Sequence, residues 1–132
     1  MYQITYEGGL RTAAIHQKSG TQLITDAPTD NHGKGESFSP TDLVAAALAS
    51  CMLTIMGINA DKKGLDIKGA KAEVHKIMAA HPRRIERVEI QIQMPDNGYS
   101  DDEKKLLERV ARACPVAKSV HPDLVQAVRF DW

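Results

Sequence analysis

Aromatic residues are scarce in this chain of 132 residues, with two Phe, three Tyr and one Trp. So few rings, spread from Tyr2 to Trp132, make no platform for stacking nucleic-acid bases. Net charge is lacking as well, because 17 Lys+Arg meet 17 Asp+Glu. Phosphate-backbone binding draws on a basic excess, so no nucleic-acid partner is expected. Residues 1–7 hold neither a basic leader nor an apolar segment, and no secretory signal is expected there. Long apolar runs are missing too; the longest, residues 43–58, is broken by Ser50, Cys51 and Thr54. A bilayer span takes about 20 apolar residues, so this Ala-rich run reads as a core helix and no membrane partner is expected. Two cysteines are too few for a disulfide scaffold, and without export they belong in a reducing cytoplasm. The 42% of hydrophobic residues is enough for one globular domain over residues 1–132.

Turn residues divide what is there. Strands are expected at residues 3–7, 11–17 and 21–26, separated by Gly8-Gly9 and by Ser19-Gly20. Residues 27–35 read as a loop. Ser39-Pro40-Thr41-Asp42 then opens a helix, with Ser39 as N-cap, Pro40 at N1 and Asp42 reaching back from N3. Val44, Ala47, Leu48, Cys51, Ile55 and Ile58 recur at helical spacing, and the opposite face is also apolar or small. A helix apolar all round is buried all round, which one small domain cannot supply, so a homodimer is expected. Gly64 ends it. Strands at residues 67–78 and 84–94 follow, then a helix opened by Ser100-Asp101-Asp102-Glu103 and disturbed at Pro115. A last strand occupies residues 125–132. The order β-β-β-α-β-β-α-β is α+β.

Several chemistries are absent. Gly33-Lys34-Gly35 is a basic turn without a phosphate-binding fingerprint after a strand. No Gly-x-Ser-x-Gly elbow supports a serine hydrolase. Cys51, Cys114, His16, His32, His75, His81 and His121 include no locally spaced ligand pair, which leaves only a scattered metal site. Both cysteines lie on apolar stripes of expected helices. Residue pattern alone leaves two readings open. Either both are inert core thiols, or one attacks and the other resolves. The second reading requires a thiolate near neutral pH, which apolar surroundings oppose. The helix dipole fades within the first turn, well before Cys51, so a cation from elsewhere is needed. Arg11 is one candidate.

Three stretches carry a resemblance. They are the proline-started helix of residues 35–51 ending in Cys51, the run Ala113-Cys114-Pro115-Val116, and the turn Gly8-Gly9-Leu10-Arg11. Together they resemble the OsmC/Ohr family of thiol-dependent hydroperoxide reductases. The resemblance implies an OsmC-like fold, an intertwined homodimer whose central helices are wrapped by antiparallel sheets. It also implies that Cys51 is peroxidatic, that Cys114 resolves it as a disulfide, and that Arg11 is the charge partner. The substrate would be a small organic hydroperoxide or hydrogen peroxide, and an external dithiol, of lipoyl type in this family, would restore the thiols. No metal or bound cofactor is expected. The family's arginine-orienting glutamate would fall at Thr41, a departure that leaves Asp42 and Glu36 as candidate substitutes. The alternative is a non-catalytic dimeric binding or stress-related scaffold protein on the same fold.

Overall fold

Backbone conformation at the first turn sets the register of the N-terminal sheet. In the computed structural model, which describes all of residues 1–132, Gly8 and Gly9 take φ +86° and +59°, and Leu10 follows at φ 63°. Glycine enters that left-handed region freely, and a tight reversal needs it there. Strands β1 (Tyr2–Gly8) and β2 (Arg11–His16) pair antiparallel across this turn, and β3 (Gln22–Asp26) pairs with β2. The sheet order is β1-β2-β3. A single 3-10 turn, Thr29–Asn31, lies in the loop that follows.

Helix α1 runs from Pro40 to Lys63. Its start is a reciprocal cap. Ser39 N–H donates to Asp42 Oδ2 at 2.8 Å, and Asp42 N–H donates to Ser39 Oγ at 3.1 Å. Its end is a Schellman closure, with Leu65 N–H reaching Ala60 O and Gly64 N–H reaching Asp61 O while Gly64 adopts φ +67°. The helix is long and apolar enough to cross a membrane by length and composition, with mean hydropathy 1.9. Ala45, Leu48, Ala49, Met52, Met56 and Ala60 form its buried face. The all-round apolar helix expected from sequence is therefore covered on one side by its own chain, and Val44 and Ile58 remain exposed.

Two compact units divide the chain, Met1–Val44 and Ala45–Trp132. In the first, the only buried side chains are Thr25, Asp26 and Ser39, while Tyr2, Ile4, Tyr6, Leu23 and Ile24 are exposed. The second holds the whole buried apolar cluster, in which Leu48, Met52 and Met56 of α1 meet Val88, Ile90 and Ile92. Each such side chain stabilises by about 1.5–3 kcal/mol when removed from water.

The second unit contains β4 (Lys71–Ala80), β5 (Arg83–Gln93), α2 (Asp101–Arg112), α3 (Pro115–Ser119) and β6 (Val125–Asp131). Strand β4 begins at Lys71, later than expected, because residues 67–70 turn back through an Ala70 N–H to Ile67 O bond. Strand β5 pairs antiparallel with β4 but parallel with β6. The expectation of purely antiparallel sheets is thus corrected: this sheet is mixed. Parallel neighbours need a long crossover, and residues 94–124, with α2 and α3 inside them, provide one. The expected single C-terminal helix is likewise two helices, divided where Pro115 denies an N–H to the helical ladder.

Candidate active site

Two groups of side chains carry chemistry, one in each unit. The first is built on the β2–β3 hairpin. Register places Arg11 opposite Asp26, so a cation and a carboxylate face each other across two strands. Arg11 Nε donates to Asp26 Oδ1 at 2.7 Å and Nη2 donates to Oδ2 at 2.8 Å. Nη2 also donates to Glu36 Oε2 at 2.9 Å, while the Glu36 backbone N–H reaches Asp26 Oδ2 at 3.2 Å. Asp26 is only 3% exposed. The Arg11 hydrogen bond holds its carboxyl below the usual carboxylate range, against the opposing effect of burial. Asp26 first, and Glu36 after it, keep Arg11 still more firmly protonated than an ordinary arginine. Nη1 makes no hydrogen bond, so the guanidinium keeps two N–H groups for another acceptor.

The second group is the cysteine pair. Cys51 lies in the fourth turn of α1 and is half-buried; Cys114 is fully buried. Both are free thiols, and Cys51 packs against the buried cluster that contains Cys114. Cys114 is the N-cap of α3, where its Sγ accepts the Ala117 N–H at 3.4 Å. Burial pushes its thiol above the ordinary value; the Ala117 bond opposes that shift and the adjacent Cys51 adds to it. A half-open thiol with a second one buried at its side can be oxidised from solution and then quenched from within.

The remaining polar groups lie elsewhere. Asp42 serves the α1 cap, and Thr41 Oγ1 shares a 3.1 Å hydrogen bond with Ser39 Oγ. His16 bonds Ser19, and no three His, Cys, Asp or Glu side chains gather as a metal-ion ligand set. A shallow groove of about 340 Å³ on the mixed sheet is lined by Glu73, His75, Arg87, Glu89 and Arg129 among others. It contains neither cysteine nor Arg11.

Comparison with known proteins decides the kinship. The family model described as OsmC-like protein matches residues 33–127, a span that includes both cysteines. The chain belongs to the OsmC family. A protein from Psychrobacter arcticus 273-4, provisionally described as an osmotic stress induced and detoxification response protein, is 53% identical to this OsmC-like chain. The match covers 98% of this chain and 93% of the other, with TM-score 0.94. The Legionella pneumophila organic hydroperoxide resistance protein OsmC shares the fold at 15% identity, with TM-score 0.78 over 100% and 96% of the two chains. The organic hydroperoxide resistance protein OhrB of Bacillus subtilis does so at 16% identity, with TM-score 0.70 over 99% and 98%. Comparison with curated proteins gives no match.

Sequence reading left Asp42 and Glu36 as candidate carboxylates for Arg11; the geometry joins Glu36 to it and puts Asp42 on the helix cap. The reading missed Asp26, which makes two of the three bonds to this guanidinium in the OsmC-like chain. Ser19-Gly20 taken as a two-residue turn would have put Asp26 opposite Ala13; the observed register, with residues 17–20 as the connection, puts it opposite Arg11.

Proposed function

We propose that this protein is a cysteine-based peroxidase that reduces organic hydroperoxides or hydrogen peroxide. The observation that carries the reading is the cysteine pair, one thiol half-open and one buried, brought together from distant parts of the chain. Family membership and the names of the Legionella and Bacillus proteins support it. The Cys51 thiolate attacks one peroxide oxygen, the O–O bond breaks, and the other oxygen leaves as an alkoxide that takes up a proton. Cys51 becomes a sulfenic acid. Cys114 attacks its sulfur, an S–S bond forms, and the departing hydroxyl takes the Cys114 thiol proton and leaves as water. An external dithiol then returns both thiols by exchange. Arg11 is assigned as the cation that favours the Cys51 thiolate and meets negative charge developing on the leaving oxygen. The reaction calls for no metal or bound cofactor.

The functional unit is proposed to be a homodimer in a reducing, cytoplasmic compartment. Tyr2, Ile4, Tyr6, Leu23 and Ile24 on the first sheet and Val44 and Ile58 on α1 support it, because a lone chain leaves these apolar groups in water. One observation favours the rival, a non-catalytic binding protein: Cys114 has a structural task as the α3 cap. One equivalent of hydroperoxide separates the two. A peroxidase loses about two daltons of intact mass and both free thiols as the disulfide forms; unchanged mass with both thiols titratable would overturn the reading.

A further inference from the structure

Arg11 meets two carboxylates that differ in kind. The Asp26 carboxylate is 4% exposed and holds Nε and Nη2 together, so it fixes both the position and the plane of the guanidinium. The Glu36 carboxylate is 59% exposed and holds Nη2 through one bond. An exposed single-point pair exchanges readily with water, whereas a buried side-on pair does not. Asp26 is tied down in turn, because the Glu36 N–H occupies Oδ2 and the β2–β3 register sets its backbone opposite Arg11. The free Nη1 edge therefore points in a direction set by Asp26.

We propose that Asp26 is the positioning residue for Arg11: it fixes the guanidinium and the direction of its free Nη1 edge, while Glu36 is the arm that lets go. The inference rests on the peroxidase reading and on Arg11 as its charge partner. Neither carboxylate expected from sequence fills this role alone. Asp42 serves the helix cap, and Glu36 is too open to fix a plane.

A double-mutant cycle on the full-length protein tests it, reading the second-order rate of Cys51 oxidation by cumene hydroperoxide and the pH profile of Cys51 alkylation. Asp26→Asn keeps the shape but replaces one acceptor oxygen with a donor that opposes Nη2 or Nε. The rate is expected to fall about tenfold, and the alkylation profile to move to higher pH. In the Arg11→Ala background the same Asp26→Asn change is expected to alter neither readout, because Asp26 acts only through Arg11. Glu36→Gln is expected to slow the reaction less than Asp26→Asn does. Should Asp26→Asn fold poorly, Asp26→Glu carries the same cycle, with charge kept and geometry displaced by one methylene. A parent-like rate in Asp26→Asn, or an equal loss with and without Arg11, would overturn the positioning role while leaving the peroxidase standing. A parent-like rate in Arg11→Ala overturns the charge-partner reading, and a parent protein whose Cys51 ignores peroxide overturns the peroxidase itself.

Discussion

At the residue scale the two cysteines are unequal, and their inequality is measurable. Cys51→Ser is expected to abolish peroxide consumption, since a hydroxyl is far harder to ionise than a thiol. Cys114→Ser keeps the attacking thiol, so the first turnover survives, but the sulfenic acid has no internal partner. Mass spectrometry under excess peroxide should then show added oxygens on Cys51, where the parent shows a disulfide. Equal loss in both variants would contradict the division of labour. Asp26 gives a second expectation, in the acid limb of stability. Its folded-state pKa lies below that of the unfolded chain, about 3.9 for an aspartate. The unfolded state thus takes up its proton first as pH falls. The stabilisation is complete above the unfolded value and is lost as pH drops toward the folded one. Urea titrations should show Asp26→Asn less stable than the parent at pH 7 and less sensitive to acid below about pH 4. Glu89, held low mainly by its hydrogen bond from Arg87, retains part of the acid response. Parallel pH curves for the two proteins would remove Asp26 as a source.

At the scale of elements, local chemistry was legible and long-range pairing was not. Both reciprocal caps could be read directly, Ser39 with Asp42 and Ser100 with Glu103, because a cap is made by residues three apart. Gly64 as the end of α1 was equally local. The parallel β5–β6 pair was hidden, since nothing within either strand states which neighbour it will take. Asp26 was hidden for the same reason, being Arg11's partner through register and not through sequence proximity. Pro115 shows how a local rule places a distant thiol. The residue before a proline is held extended, and Cys114 sits at φ −63°, ψ 153° as the α3 N-cap. Pro115→Ala removes that restriction and lets helix continue through Cys114. Disulfide formation after one equivalent of peroxide, followed by quenched thiol counting, should slow by about tenfold. Global stability should change by about 1 kcal/mol or less. An unchanged rate would show that Cys114 is held by its packing alone.

For the whole molecule, the distribution of apolar surface is lopsided. The second unit has a continuous core, while the first buries only Thr25, Asp26 and Ser39 and leaves its large apolar side chains in water. Sedimentation at low micromolar concentration should give about twice the 14.5 kDa chain mass, and Ile4→Lys should shift the population toward single chains. A folded, stable single chain of the parent under those conditions would refute the dimer. The mixed sheet has a temporal consequence as well. Strands β4 and β5 form a hairpin with a short closure, but β6 reaches β5 only after residues 94–124 have been traversed. Loop closure of that length makes it a late event in folding. Val128 of β6 belongs to the same buried cluster as Cys114. Until that strand docks, the cluster that buries Cys114 is incomplete, and shelter of this thiol from oxidants and from neighbouring chains arrives with the last strand.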